Sequence, residues 1–293
     1  MGLGEFNSVT HYKDKMEKRG FSNSLFVAEL RYIQSIHETG ELQNPDGLVG
    51  QFLPVLRQWN CKRLNQSKID TLRTDPFYYY LAARTRYYDK VFLDAIADNA
   101  QYIINVGCGT DTRAYRFEQP LRQKEVKVLE CDQAEAIAIK ERKAKQVGRN
   151  GHVTYLSVDL NDEAWPAFEQ WLGQRNTSKG LVLMEGVSPY VNVETFGRFL
   201  RLLASQLPSG SRVAYDFKLR GIKDDFGLIG STQRPFRLSA DRKDVADYHA
   251  EIGYRLDYME QGAELSTRLL TGLTKSRAPL FMEDALIQLE VKH

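Results

Sequence analysis

The sequence predicts an α/β fold in which a seven-stranded, mostly parallel sheet follows a helical segment. Three observations predict it. The stretch Tyr102 to Arg113, YIINVGCGTDTR, runs from a short apolar strand pattern through Gly107 and Gly109 into a polar cluster suited to opening a helix. Three further short apolar runs follow: VKVLEC before Asp132, HVTYLSVDL closing on Asp159 and Leu160, and GLVLMEGV closing on Glu185 and Gly186. In a parallel sheet the carboxyl ends of strands meet at one edge, where ligands bind, so these acidic residues are expected to converge. Finally, about 100 residues of helical pattern precede the first strand.

The elements follow in order. Residues 9–40 read as helix, with Phe26, Val27, Leu30, Ile33 and Ile36 at helical spacing and Ser22 or Asn23 as a cap. The turn-rich GELQNPDGL (40–48) leads into a helix over 48–65, with Pro54 as a first-turn residue. Asp75-Pro76 opens a long helix to about Ala100 that carries Tyr78, Tyr79, Tyr80, Tyr87 and Tyr88, read as core packing with hydroxyls at the boundary. Beyond the glycine turn, helices are expected over 133–147, 162–175, 193–207 and 241–252, with a fifth strand over 212–219. Residues 220–240 read as a lid or substrate loop. Strand candidates at 265–273 and 285–291 would close the sheet. The division expected is a helical cap over 1–100 and a cofactor-binding domain over 101–293.

The glycine turn alone decides little. A dinucleotide fingerprint needs a third glycine, and position 112 is Thr112. Asp132, about one β-α-β unit later, stands where a carboxylate accepts from both ribose hydroxyls. The chain has 293 residues, is 42% apolar and 27% charged, and carries a net charge of +2. That is an ordinary globular composition, without the clustered basic charge that nucleic acid needs. No apolar run approaches the roughly 20 residues of a membrane span, and the N-terminus lacks an apolar signal core. Three cysteines, Cys61, Cys108 and Cys131, form no metal spacing. A cytoplasmic protein with reduced thiols, no metal, no nucleic-acid partner and no membrane partner is expected.

The segments LAARTRYYDKVF (81–92), INVGCGTDTRAYRF (104–117), LECD (129–132), SVDL (157–160) and MEGVSPYV (184–191) together resemble the leucine carboxyl methyltransferase family of S-adenosylmethionine-dependent enzymes. The resemblance implies a Rossmann-like class I methyltransferase domain using S-adenosylmethionine and releasing S-adenosylhomocysteine. It carries cofactor contacts onto Arg84, Gly107, Gly109, Asp111, Asp132, Asp159, Leu160 and Glu185, and it makes Tyr190 a candidate substrate contact. Arg84 lies on an otherwise apolar helix. A buried arginine needs a carboxylate, and in the family the matching residue takes the cofactor's methionine carboxylate. SNSLFVAELRYI and DPFYYYLAARTRYYD look like the bacterial natural-product branch, which serves mixed polyketide–peptide assembly lines, the microcystin type among them.

The implied activity is O-methylation of a hydroxyl on a small-molecule polyketide or nonribosomal-peptide acceptor, with contact to a biosynthetic assembly line. An alcohol acceptor needs a base, whereas a carboxylate is already ionised at neutral pH. His249, beyond the fifth strand, is the candidate base. His152 lies at the opposite sheet edge. Three alternatives stay open: a carboxyl methyltransferase acting on a protein C-terminal leucine or another carboxylate, a non-catalytic adenosyl-binding module, and a nicotinamide dehydrogenase.

Overall fold

The computed structural model describes residues 20–148, 151–175, 177–221, 234–274 and 278–292. The helix start expected at residues 9–19, and residues 222–233 of the expected lid, lie outside them. Helix α1 (Gly20–His37) is followed by α2 (Val49–Phe52), α3 (Val55–Lys62), α4 (Gln66–Leu72) and α5 (Pro76–Ala97). Then come β1 (Tyr102–Val106), α6 (Arg113–Arg116), α7 (Glu118–Gln123), β2 (Lys127–Asp132), α8 (Ala134–Val147) and β3 (Val153–Ser157). After α9 (Pro166–Gly173) come β4 (Gly180–Met184), α10 (Val193–Gln206) and β5 (Arg212–Leu219). The chain closes with β6 (Arg237–Leu238), α11 (Arg242–Glu251), β7 (Tyr254–Gln261), α12 (Gly262–Leu269), α13 (Thr271–Thr274) and β8 (Asp284–Val291).

The sheet order is β3-β2-β1-β4-β5-β8-β7, with the two-residue β6 added beside β5. Only β8 runs antiparallel to its neighbours β5 and β7. The expected mostly parallel sheet of seven principal strands is therefore present. Its central strands are buried on both faces, which is why they read as near-continuous apolar runs. Tyr102, Ile104 and Val106 pack on one side with α9, α10 and α11, whereas Ile103 packs on the other with α5 and α12. Helix α5 serves two clusters. Tyr80, Tyr87, Tyr88, Val91 and Phe92 face the sheet, and Tyr78, Leu81 and Ala82 join α1 and the short helices before it. Of its five tyrosines, all but the half-buried Tyr79 are buried, as the packing reading required.

Three expectations need correction. The strand placed at 265–273 falls on helices α12 and α13, and the strand is β7, ahead of them. The reason is a capping box: the Gln261 side chain accepts from the backbone of Glu264, and the Glu264 side chain accepts from the Gln261 N–H, which starts a helix at Gly262. The helix over 48–65 is broken at Leu53 and Pro54. Leu53 is extended, as a residue before proline prefers, and Pro54 caps α3 from outside instead of standing in its first turn. The helix expected from 162 begins only at Pro166, whose fixed φ suits a first helical position.

Candidate active site

Strand β1 delivers the chain to a turn in which Gly107 and Gly109 have φ of 66° and 39°. Side chains at either position would be strained and would also collide, at Gly107 with Val187 and at Gly109 with Ser24 of α1. Beside this turn β2 ends at Asp132. Its carboxylate accepts from the Gly109 N–H at 2.7 Å and from the Gln133 N–H at 2.8 Å, and burial raises its pKa. The Gln133 side chain then donates to Asp159 at 2.8 Å, which links the ends of β2 and β3. The Asn161 N–H holds the other Asp159 oxygen at 2.9 Å, and Leu160 is buried beneath. Asp132, Asp159 and the turn thus share one edge.

Glu185, just past β4, joins a buried ion-pair cluster. Its two oxygens meet Arg84 Nε at 3.0 Å and Arg113 Nη1 at 2.8 Å. Arg113 is fully buried and also pairs with Asp89 at 2.9 Å and Asp111 at 2.5 Å. Burial alone would raise the Asp111 pKa, but Arg113, Lys140 and Arg31 outweigh it and hold that carboxyl well below the usual range. Arg84 also reaches Asp216 at 3.4 Å. Asp216 accepts from the Gly186 N–H at 2.7 Å and from the Tyr88 hydroxyl at 3.0 Å; burial, the largest influence, pushes its pKa up to about 6 against the pull of Arg84. Helix α1 is tied to the glycine turn next to this cluster. Arg31 pairs with Asp46 at 3.2 Å and donates to the Thr110 carbonyl at 3.1 Å.

The family model for leucine carboxyl methyltransferases matches residues 26–204. That stretch holds the glycine turn, all three strand-end carboxylates and the arginine cluster. The chain belongs to the leucine carboxyl methyltransferase family. A Mycolicibacterium smegmatis protein named "Putative S-adenosyl-L-methionine-dependent methyltransferase" is 31% identical over 153 residues, covering 52% of this chain and 48% of the relative. The chain thus matches about half the length of that relative. A Mycolicibacterium paratuberculosis protein of the same name is 28% identical over 239 residues, covering 73% of this chain and 76% of its own length. Among solved structures, magnesium protoporphyrin IX methyltransferase from Synechocystis PCC 6803 is similar at 14% identity and a TM-score of 0.48, over 78% of this chain and 89% of that one.

The residues fit the family's cofactor, S-adenosylmethionine, on two points of geometry. The two glycines allow the positive-φ turn that packs against Val187 and Ser24 and directs the Gly109 N–H to Asp132. Arg84 is buried, and with Nε beside Glu185 and Nη1 beside Asp216 its five-donor guanidinium still has N–H groups to offer a further carboxylate. Asp132 would take the ribose and Arg84 the methionine carboxylate, with Glu185 and Asp111 beside it.

Two further candidate residues lie outside this cluster. Tyr190 sits half-buried in a short 3-10 turn, Ser188–Tyr190, and its carbonyl accepts from Asn161 at 3.4 Å. His249 is fully buried on α11. Its Nδ1 lies 2.5 Å from the Val245 carbonyl, which can only accept, so Nδ1 carries the proton and Nε2 accepts from the Tyr215 hydroxyl at 2.7 Å. Both ring nitrogens are engaged and neither offers a lone pair to an acceptor, so the expectation that His249 is the base is corrected to a packing role. Burial drives its pKa down to about 4. Sequence reasoning missed Arg113, Asp89 and Asp216 as members of the cluster. The signal was present for two of them, because the segments RTRYYD and GTDTR each carry an arginine and an aspartate; the fold pairs Arg113 with Asp89 across the segments and with Asp111 within its own.

Among the described residues no helix is long and apolar enough to cross a membrane, and no group of three or more His, Cys, Asp or Glu is placed to hold a metal ion.

Proposed function

We propose that this protein is an S-adenosylmethionine-dependent O-methyltransferase whose acceptor is a hydroxyl of a polyketide or nonribosomal-peptide natural product or its precursor. The observation that carries the methyltransferase reading is the grip of Asp132 on the glycine turn, with Asp159 on the same edge and Glu185 just past β4. When bound, the cofactor supplies an electrophilic methyl group on a sulfonium. This chain's part is to align donor and acceptor and to exclude water. Alignment alone is worth roughly 7–11 kcal/mol in favourable cases. Asp132 orients the ribose, Arg84 fixes the methionine end, and α1, tied down through Arg31 and Ser24, covers the turn. The resemblance to pathway enzymes supports the hydroxyl acceptor and contact with an assembly line.

A carboxylate acceptor is the second reading, and one observation favours it. No described histidine stands as a base at the cofactor edge: His249 is buried with both ring nitrogens engaged, His152 precedes β3 at the opposite sheet edge with its Nε2 on the Ala114 carbonyl, and His37 puts its Nε2 on the Cys61 carbonyl. A carboxylate needs no base, and the family takes its name from carboxyl methylation. Mild alkali separates the readings. A methyl ether survives it, as the hydroxyl reading expects, and release of methanol from the physiological product would establish the ester instead.

A further inference from the structure

Beneath the glycine turn lies a second buried ion pair that the cofactor contacts do not use. Lys140 of α8 is 2% exposed, and Glu130 of β2 is 0% exposed. The Lys140 ammonium stands 2.9 Å from Glu130 Oε1 and donates to the Cys108 carbonyl at 3.1 Å. The other Glu130 oxygen accepts from the Tyr115 hydroxyl at 2.5 Å, and that hydroxyl lies 3.0 Å from the Tyr155 hydroxyl. A buried ion pair is poor evidence of stabilisation, because a well-packed apolar pair often does as well or better. Its geometry is more telling. The peptide unit between Cys108 and Gly109 is gripped at both ends. Its carbonyl accepts from Lys140 and from the Asp111 N–H at 2.8 Å, and its N–H donates to Asp132 at 2.7 Å. Were this peptide to flip, its carbonyl dipole would face the Asp132 carboxylate, and the ammonium would lose its second partner.

We infer that Lys140, seated on Glu130, is a positioning residue for the cofactor turn. It fixes the Cys108–Gly109 peptide so that the Gly109 N–H points at Asp132 and that carboxylate stands ready for the ribose. Locking a binding residue in its working geometry through a supporting layer of contacts raises affinity by removing the cost of ordering it on binding. The inference rests on the methyltransferase reading above. It places the charge on Lys140 because the ammonium has two acceptors to satisfy, and an apolar side chain of similar length, such as methionine, donates to neither.

The test uses the full chain, the double variant Glu130→Gln/Lys140→Met, which leaves no orphaned charge, and S-adenosylhomocysteine as the probe. The folded double variant should bind roughly tenfold or more weakly, the loss expected when one charge-assisted hydrogen bond is removed. In 15N-glycine-labelled protein its Gly109 amide should exchange with solvent far faster than in the unaltered chain. Equal affinity in the folded variant overturns the positioning role and leaves the methyltransferase reading standing. Failure of the unaltered protein to bind the probe overturns both. Should the variant not fold, exchange in the unaltered, ligand-free protein decides. A slow Gly109 amide is the expected result, because the peptide is already clamped, and an amide protected only once ligand is added overturns the proposal.

Discussion

Replacing His249 with phenylalanine should flatten the acid side of the stability profile. In the folded chain burial holds its imidazole pKa near 4, against the usual 6.5. Below pH 6.5 the unfolded chain therefore takes up a proton that the folded chain refuses. The stabilising difference is present above pH 6.5 and is lost as the pH falls toward 4. Linkage over this window amounts to about 2 kcal/mol by pH 5 and about 3 kcal/mol by pH 4. Asp216, whose pKa burial raises to about 6, acts in the opposite sense over part of the same range, so the unaltered protein alone reports a mixture. The difference between protein and variant isolates the histidine. The substitution also orphans the Tyr215 hydroxyl, but that cost does not vary with pH and drops out of the slope. Urea unfolding at pH 7.5, 6.5 and 5.0 gives the measurement. The gap between the two proteins should narrow by about 2 kcal/mol from pH 7.5 to 5.0. Parallel profiles would refute the buried, neutral imidazole, and a collapse of methyl transfer without any change of slope would restore His249 as a base.

Two substitutions address the cofactor contacts. Asp132→Ala should weaken S-adenosylhomocysteine binding at least tenfold, since it removes two ribose bonds worth roughly 1.5–3 kcal/mol each and frees the Gly109 N–H; calorimetry on folded protein checks it, and an unchanged dissociation constant moves the ribose elsewhere. Arg84→Lys keeps the charge and loses the planar fork, so it should weaken S-adenosylhomocysteine while barely affecting methylthioadenosine, which lacks the carboxylate. Equal losses for the two ligands would assign Arg84 to the Glu185 and Asp216 pairs of the fold alone.

The parts of this molecule that were legible in its sequence are those whose physics is local. The runs into Gly107 and up to Asp132 are strands buried on both faces, and such strands announce themselves as apolar runs. Strand β7 did not. YRLDYMEQ lies at the sheet edge with most of its residues half-buried or exposed, and its polar content hid it, while the more apolar GAELSTRL beside it is the helix. His249 misled for a similar reason. RKDVADYHAE is polar almost throughout, and its buried stripe consists of two residues one turn apart, Val245 and His249. Arg113 and its partner Asp111 were legible within one motif, but the pairing of Arg113 with Asp89 and Glu185 was not. Asp89 lies 24 positions away and Glu185 lies 72 away, and only the fold brings them to one guanidinium. Motifs name the charged residues of such a cluster, and pairing them requires the sheet.

The account stands most directly on what the Asp132 edge binds. Titration calorimetry of the full chain with S-adenosylhomocysteine, NAD and ATP in turn tests this in one experiment. The account predicts saturable binding of S-adenosylhomocysteine and little heat from the other two, because the turn lacks a third glycine and carries the Arg84 cluster beside it. Tighter binding of NAD than of S-adenosylhomocysteine would contradict it.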